Sequence, residues 1–488
     1  MLDDWRAGGG SPLLIGGRLV HTDRRFETID PATEELIGEA ADAGPDELDA
    51  AVGAARRAFD ATGWAADLPL RVRCLRQLRQ ALVRHGDELR DLTVREVGAP
   101  RFLTYGAQFD APVADLGWFA DLAEQYAWTR DLGRAAPMGM TSDRQVLREA
   151  VGVVGAITPW NFPHQINLAK LGPALAAGNT VVLKAAPDTP WCAAVLGRLV
   201  AEETDIPPGV VNVITGQDPG LGARLVADPR VDMISFTGST ATGREVMRGA
   251  ADTLKKVFLE LGGKSAFIVL DDADLAKACA YAAFTGITHA GQGCAITTRL
   301  LVPRARYDEA VERTAGTMAK LGVGDPGDDR TVCGPVISGR QRDRIESHLR
   351  LAVEEGGSFA TGGRRADRDR GFWIEPTLIT GLTNQSRTAR EEIFGPVLVI
   401  LPHDGDDDAV RIADDSPYGL SGAVHGGDLD RARAVARRLR TGTVSVNGGV
   451  WYAADVPFGG YKQSGVGREM GVAGFEEYLQ TKAIAEGV

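Results

Sequence analysis

The chain has 488 residues, more than one hydrophobic core usually supports, so two or more domains are expected. Hydrophobic residues make up 44% and charged residues 25%, a balance that argues against disorder, and no apolar run approaches the ~18 residues of a membrane-spanning helix. The net charge of −12 disfavours nucleic acid and anionic membranes as partners, because both attract clustered Lys and Arg.

The amino-terminal segment and the cysteines bear on cellular location and on metal binding. Met1 to Gly10 holds acidic and glycine residues where a signal peptide needs a basic start and an apolar core, so we expect a cytoplasmic protein. The five cysteines are odd in number, widely spaced and without a C-x-x-C pair. This pattern argues against a disulfide framework and against a zinc site, and no metal is predicted.

The predicted elements follow an α/β pattern. Helical periodicity covers Pro45 to Ala61 and Leu68 to Val97. Short β-branched runs then alternate with helix-like stretches from Val151 to Gly263, and again from Ala266 to about Val446. Strands this apolar are typical of parallel sheets with helices on both faces, where ligands bind at the carboxyl ends of the strands. The predicted strands are 153–158, 180–184, 210–214, 233–236, 257–260, 266–270, 299–302 and 397–400.

Three remaining segments need separate interpretation. Ala136 to Arg148 and Lys482 to Val488 fit neither α/β region and are predicted to form a small strand-rich extension for self-association. Gly322 to Gly327 matches G-x-G-x-x-G, but it follows the helical pattern of Tyr307 to Leu321 and contains Pro326. Because the dinucleotide fingerprint needs a strand before it and a helix after it, we predict a loop there.

Gly291-Gln292-Gly293-Cys294 and the preceding Glu260-Leu261-Gly262-Gly263-Lys264 are the strongest candidates for catalysis. A cysteine attacks electrophilic carbon as a thiolate, so a catalytic cysteine needs a base or a favourable field close by. Glu260, at the end of a predicted strand, is a candidate for that base. A small core residue is the alternative interpretation of Cys294 taken alone.

Polar residues also follow other predicted strands of the first region. Phe236 to Gly243 leads from a strand into a helix, so its free amides suit a phosphate, although a turn capped by Ser239 or Thr240 explains it equally well. Lys184 ends a strand of the same sheet and is therefore expected on the ligand side. In Pro159-Trp160-Asn161-Phe162-Pro163 two prolines stiffen a turn that offers the Asn161 amide, as oxyanion stabilisation requires, with a structural turn as the alternative.

These segments together resemble the NAD(P)-dependent aldehyde dehydrogenase superfamily over nearly the whole chain. The resemblance also rests on Glu391-Glu392-Ile393-Phe394-Gly395-Pro396 and on Pro457 to Gly465. It implies an aldehyde dehydrogenase-like α/β fold, with two parallel-sheet domains and a small β oligomerisation element that forms a homodimer or homotetramer. The implied division is a Rossmann-like cofactor domain at 1–130 and 149–261, a catalytic domain at 262–462, and the oligomerisation element at 131–148 and 463–488.

The resemblance implies a role for each matched residue. Cys294 matches the nucleophile, Glu260 the general base and Asn161 the oxyanion donor of a reaction in which an aldehyde becomes a thioester and then a carboxylic acid. Lys184 and Glu392 match the groups that hold the riboses, Ser239 the phosphate contact and Phe394 the residue near the nicotinamide ribose, with Trp160 and Gly238 in the same cofactor site. The implied cofactor is NAD, with NADP as the second choice.

Two positions depart from the usual pattern of the superfamily. Pro187 stands where NAD-preferring members carry a glutamate, which removes both an NAD contact and the repulsion of a 2′-phosphate. Ala169 stands where many members carry a tryptophan, which implies a wider substrate tunnel. The implied tunnel is mostly apolar and favours medium-chain, terpenoid or aromatic aldehydes; its expected residues are Phe162, Gln165, Ile166, Ala169, Trp451, Tyr452 and Phe458.

Other functions stay open at this stage. A CoA-acylating or a semialdehyde dehydrogenase is the alternative enzyme, although Glu260 argues against the former because that branch commonly lacks the base. A binding protein that retained the fold without turnover is disfavoured by the intact Cys294, Glu260 and Asn161.

Overall fold

The computed structural model describes Leu2, Trp5 and residues 9–488, and its strands lie mainly in two large sheets. The strands in chain order are β1 (Leu13–Ile15), β2 (Arg18–Val20), β3 (Arg25–Ile29), β4 (Leu36–Ala41), β5 (Thr129–Ala135), β6 (Ser142–Ala150), β7 (Val153–Ile157), β8 (Thr180–Lys184), β9 (Val211–Ile214), β10 (Met233–Thr237), β11 (Lys256–Glu260), β12 (Ser265–Val269), β13 (Thr297–Pro303), β14 (Ser358–Thr361), β15 (Thr377–Thr380), β16 (Val397–His403), β17 (Ser421–His425), β18 (Thr443–Val446), β19 (Gly465–Val466) and β20 (Leu479–Gly487).

The first large sheet has the order β19-β11-β10-β7-β8-β9-β1-β2, and its five central strands are parallel. The second has the order β14-β15-β16-β13-β12-β17-β18 and is parallel except at its β14 edge. Successive residues of a strand point to opposite faces, so Val153 and Val154 enter different hydrophobic cores on the two sides of the first sheet. A third core surrounds the second sheet. The predicted fold of two parallel-sheet α/β units is confirmed.

Helices connect the parallel strands, and several have clear start and stop signals. The helix Pro163–Ala177 after β7 starts with a proline in its first turn and ends at Gly178, whose φ of 93° favours glycine. The α-helices are Pro45–Ala61, Leu68–Arg84, Gly86–Val97, Arg101–Thr104, Asp110–Gln125, Pro163–Ala177, Pro190–Glu203, Gly220–Ala227, Thr240–Ala251, Leu275–Ile287, Tyr307–Leu321, Gly339–Glu354, Arg387–Arg390, Asp406–Asp414, Leu429–Ala436 and Gly471–Glu476. Short 3₁₀ turns lie at Pro137–Gly139, Thr288–Gly291, Arg304–Arg306 and Lys462–Ser464.

One predicted helix is divided in the structure. The pattern over Leu68 to Val97 forms two helices, because His85 takes φ −97° and ψ 14° and ends the first helix while it precedes the second. Both helices bury an apolar face, so periodicity did not reveal the break between them. The predicted loop at Gly322 to Gly327 is confirmed: the helix Tyr307–Leu321 ends there, and no strand precedes the glycines.

A separate three-stranded sheet contains most of the predicted strand-rich extension. Its order is β20-β6-β5, with antiparallel pairing throughout. Strand β5 begins two residues before the predicted β element at 131–148, which covers the rest of it. The segment 463–488 divides between elements, because Gly465–Val466 pairs with β11 of the first large sheet while Leu479–Gly487 pairs with β6. The domain boundaries as a whole stay a prediction.

The described residues contain neither a membrane-spanning helix nor a cluster of metal-ligating side chains. Over the described part of the chain, no helix combines the length and the apolar character needed to cross a membrane. Within the same residues, no three His, Cys, Asp or Glu side chains converge in a way that could hold a metal ion, and the five cysteines are free thiols.

Candidate active site

The candidate site lies where three neighbouring strands of the first sheet end. Strands β7, β10 and β11 run parallel, so their carboxyl ends meet at one edge, where Thr237 pairs with Glu260. The turn after β7 brings Asn161 to the same place. Asn161 and Glu260 are only 3% and 1% exposed, so both polar side chains are held away from bulk water.

The loop with Cys294 reaches this edge from the second α/β unit. It follows the helix Leu275–Ile287 through three left-handed residues, His289 (φ 54°), Ala290 (φ 51°) and Gly291 (φ 69°). A side chain at Gly291 would lie 1.9 Å from the Gly395 carbonyl oxygen, so the turn requires glycine there. This unusual backbone turns the chain and presents Cys294 to the cleft.

Hydrogen bonds hold the turn and Asn161 together. The Asn161 side-chain Nδ2 donates to the Gln292 carbonyl at 2.9 Å, and the Asn161 carbonyl accepts from Gln108 Nε2 and His289 Nε2, both at 2.9 Å. Burial lowers the pKa of His289 to about 4, so the ring is neutral near pH 7. The Asn161 amide is therefore fixed beside Cys294 before any substrate binds, as an oxyanion donor requires.

Cys294 and Glu260 form a coupled pair. Burial raises the pKa of the Cys294 thiol well above its usual value, and the neighbouring Glu260 carboxyl raises it further. Burial also raises the pKa of Glu260, and Glu469 adds to this effect while Lys170 opposes it. The thiol and the carboxyl line the same two cavities and each shifts the pKa of the other, so a proton can pass from Cys294 to Glu260 within the site.

A buried ion pair lies close to Glu260 and was not predicted from the sequence. Lys170, fully buried in the helix Pro163–Ala177, donates to Glu469 Oε1 and to Ser235 Oγ, both at 3.2 Å. Ser235 Oγ in turn lies 2.9 Å from the Tyr478 hydroxyl. The one available signal was a lysine within an apolar helix. This network places a cation near the Glu260 carboxyl, where it favours the ionised form.

Two cavities meet at the predicted catalytic residues, which lie in the walls of both. The larger has a volume of about 380 Å³ and the smaller about 270 Å³; Asn161, Thr237, Glu260 and Cys294 are common to them. Phe162, Gln165, Ile166, Trp451, Tyr452 and Phe458 line the larger cavity, where substrate residues were expected. Ala169 does not, which corrects the prediction: it is buried in the core against which Trp451 and Tyr452 pack. Ala169 lies on the helix after Asn161, as predicted, but other side chains separate it from the cavity.

The smaller cavity suits a dinucleotide. The rings of Trp160 and Phe394 meet edge to face at 5.5 Å, and Glu392, whose Oε1 accepts from the Gly263 amide at 2.9 Å, faces the same space. Gly238 and Ser239 line it at the start of the helix Thr240–Ala251. Ser239 also caps that helix by accepting from the Thr242 amide at 3.2 Å, so both interpretations of this turn apply.

Two expected cofactor residues lie outside this cavity, and three others were missed. Lys184 is buried at the end of β8, and Pro187 follows it half-buried, but neither is in the wall. The wall includes Arg340, Gln341 and Arg344 from the helix Gly339–Glu354, and no sequence signal marked them. They come from the second α/β unit and reach the cavity only through the packing of the two units.

Comparisons with known proteins agree with this geometry. The aldehyde dehydrogenase family profile matches residues 19–484. A 3-succinoylsemialdehyde-pyridine dehydrogenase from a Pseudomonas species is 44% identical over 466 residues, which are 94% of this chain and 95% of the relative. Geranial dehydrogenase of Castellaniella defragrans is 41% identical over 477 residues, 97% of this chain and 98% of the relative.

A solved structure shows the same architecture. The crystal structure of Mycobacterium tuberculosis aldehyde dehydrogenase complexed with NAD⁺ superposes with a TM-score of 0.93 at 40% identity and covers 97% of each chain. Family profile, relatives and fold therefore agree along almost the entire length. The chain belongs to the aldehyde dehydrogenase family and is an enzyme that oxidises an aldehyde with NAD as its cofactor.

Proposed function

We propose that the physiological substrates are hydrophobic aldehydes, either medium-chain aliphatic, terpenoid or aromatic, and that the products are carboxylic acids. The wall of the larger cavity carries this proposal. It is mostly aromatic and aliphatic, and among the described residues it includes no Arg or Lys. A second carboxylate would lose its water there without a cationic partner. The similarity to geranial dehydrogenase supports a terpenoid or similar apolar chain.

The residues of the site support a covalent reaction. Cys294 gives its proton to Glu260 and adds as a thiolate to the aldehyde carbon, while Asn161 Nδ2 and the Cys294 amide stabilise the oxyanion. NAD, when bound, would supply the acceptor for the hydride that the aldehyde carbon loses. Glu260 releases that proton to solvent and can then take one from water, which attacks the Cys294 thioester; the carboxylic acid leaves and Cys294 is regenerated. Lys170 partly offsets the rise that burial causes in the pKa of Glu260, so it favours the basic form that the reaction needs.

The alternatives receive less support. The proximity of Glu260 to Cys294 disfavours a CoA-acylating enzyme, because a base so placed activates water for hydrolysis. A semialdehyde of a dicarboxylic acid would bring a second charge into a wall with two acids, Glu260 and Glu469. A semialdehyde linked to pyridine, which the Pseudomonas relative's name specifies, carries no such charge and fits the apolar wall.

A substrate screen tests the proposal. We expect octanal, geranial and benzaldehyde to have higher kcat/KM values than acetaldehyde and succinic semialdehyde, because the larger molecules bury more apolar surface in the cavity. Reduced cofactor is followed by its absorbance, with NAD and NADP in parallel. Highest kcat/KM with succinic semialdehyde would contradict the proposed substrate class.

NADP is proposed as a second, weaker cofactor. Pro187 provides no carboxylate to repel a 2′-phosphate. Lys184 ends β8, so it lies at the same carboxyl-end edge of the sheet as the candidate site. Asp188 is the nearest acid in sequence and pairs with Arg340 at 3.5 Å, which partly offsets its charge. The NADP series of the substrate screen measures this preference directly.

Asn161→Ala is expected to lower kcat by ~10²-fold or more, since removing one oxyanion donor typically has that effect. The amide hydrogen bond to the Gln292 carbonyl is lost as well, so the melting temperature is measured beside the rate. Asn384→Ala is a control, because Asn384 contacts Asp415 and lies in neither cavity wall. A kcat within a few per cent of the parent in Asn161→Ala would remove Asn161 from the mechanism.

We also propose that the enzyme is a homodimer or homotetramer. Strands β5 and β20 form the two edges of the three-stranded sheet, and most of their side chains are exposed. Exposed strand edges of this length are normally covered by another chain. Light scattering at micromolar concentration should return two or four times the chain mass of 51.8 kDa, and a value equal to one chain would refute assembly.

A further inference from the structure

The Tyr452 hydroxyl is an unsatisfied polar group in a mostly apolar wall. Tyr452 lines the larger cavity together with Trp451 and Phe458, whose rings stack at 5.3 Å. Its hydroxyl oxygen is buried and has no hydrogen bond of good geometry within the described part of the chain. A buried hydroxyl without a partner costs free energy, so its retention in a binding cavity points to a ligand that satisfies it.

Two polar side chains stand beside this hydroxyl. The Gln165 amide, also in the cavity wall, is close enough to lower the pKa of Tyr452, although burial raises that pKa more strongly. Asp115, on the helix Asp110–Gln125, is the charged group that raises it most. The Asp115 carboxyl is half-buried and, among the residues described, makes neither a hydrogen bond nor an ion pair; burial raises its pKa to about 7.

We call Asp115, Gln165 and Tyr452 the polar patch: Gln165 and Tyr452 lie in the cavity wall, Asp115 lies outside it within electrostatic range of Tyr452, and none of the three carries a positive charge. Cys294 lies within electrostatic range of Tyr452, so one substrate molecule in the larger cavity can reach both. A wholly apolar aldehyde would cover the Tyr452 hydroxyl without satisfying it. A carboxylate would face Glu260 and Glu469 in the cavity wall and feel the nearby charge of Asp115, and the described wall offers no Arg or Lys to balance its charge.

We propose that Tyr452 donates a hydrogen bond to an uncharged acceptor on the substrate, such as a pyridine nitrogen or a carbonyl oxygen, carried by an otherwise apolar body away from the aldehyde. Asp115 and Gln165 position the hydroxyl and exclude anionic substituents. This inference rests on the proposed function and narrows its substrate class: an aromatic or aliphatic aldehyde with one acceptor atom is preferred over its hydrocarbon analogue of equal shape.

Two aldehydes of nearly identical shape test the inference. 3-(Pyridin-3-yl)propanal carries the acceptor nitrogen and 3-phenylpropanal does not. The parent enzyme is expected to oxidise the pyridyl compound with a kcat/KM about tenfold higher, the effect of one added hydrogen bond in a desolvated site. Tyr452→Phe should bring the ratio near one by slowing only the pyridyl compound, mainly through KM.

Matched variants separate recognition from loss of packing. Tyr281→Phe removes another hydroxyl from the same cavity wall, on the helix Leu275–Ile287, and should leave the ratio unchanged whatever it does to both rates. Asp115→Asn keeps the shape of the side chain and should raise kcat/KM for succinic semialdehyde, since it removes a repelling charge. Thermal melting of each variant shows whether the fold is retained.

The outcomes distinguish this inference from the proposed function. If the parent oxidises neither propanal, the proposed substrate class itself fails. If it oxidises both equally, or if Tyr452→Phe keeps the parental ratio, the hydrogen bond from Tyr452 is refuted while the hydrophobic class stands. An unchanged rate with succinic semialdehyde in Asp115→Asn would refute the exclusion of anions by Asp115.

Discussion

Cys294→Ser is expected to abolish dehydrogenase activity, by ~10⁴-fold or more, while NAD still binds. A serine hydroxyl has a far higher pKa than a thiol, and Glu260 is too weak a base to ionise it. The cofactor cavity keeps its other walls, Trp160, Glu392 and Phe394 among them, so the affinity for NAD measured by calorimetry should not change.

Chemical modification gives the same test without mutation. Cys294 is partly accessible because it lines both cavities, whereas Cys74, Cys192, Cys279 and Cys333 are buried, so a small alkylating reagent should label Cys294 first. Cys74→Ala is the matched control, because its thiol lies in the helix Leu68–Arg84 and in neither cavity wall. Substantial aldehyde oxidation by Cys294→Ser, or full activity after labelling of Cys294, would refute the nucleophile.

Glu260→Gln should give a single burst of reduced cofactor, slower than in the parent because Cys294 loses its proton acceptor, and then stall, with steady turnover reduced by ~10²- to 10⁴-fold. The amide still accepts a hydrogen bond but cannot take a proton from water, so the thioester on Cys294 accumulates. Mass spectrometry of the stalled enzyme should show the acyl group on the Cys294 peptide. Glu477→Gln is the control, since that carboxylate pairs with Lys256 and lies in neither cavity wall.

The pH dependence of turnover adds a second measurement to this variant. Because burial and Glu469 raise the pKa of Glu260, its basic form is lost on acidification at a higher pH than for an ordinary glutamate. Parent turnover should therefore rise as pH increases through that raised pKa, and this rise should be absent in Glu260→Gln. Steady turnover equal to the parent would show that another group activates water.

Local sequence determined the strands that surround the site and indicated the candidates for its reacting groups. The strands β7, β8, β10 and β11 were predicted within about a residue because β-branched runs and short turns act within one segment. Cys294, Glu260 and Asn161 each lie in a short motif whose glycines and prolines fix the backbone locally. Strands of one parallel sheet end at one edge, so the meeting of Glu260 with Asn161 followed from topology.

Only the tertiary structure decided what surrounds those groups. Segments far apart in the chain meet in four places around the site. These are the pairing of Lys170 with Glu469, the cofactor wall from the helix Gly339–Glu354, the covered position of Ala169, and the polar patch that includes Asp115 and Tyr452. Periodicity shows which face of an element is buried but not which distant side chain meets it. The burial of a polar group, the charges around it and the partners of its hydrogen bonds all depend on which side chains pack together, so no single segment determines them.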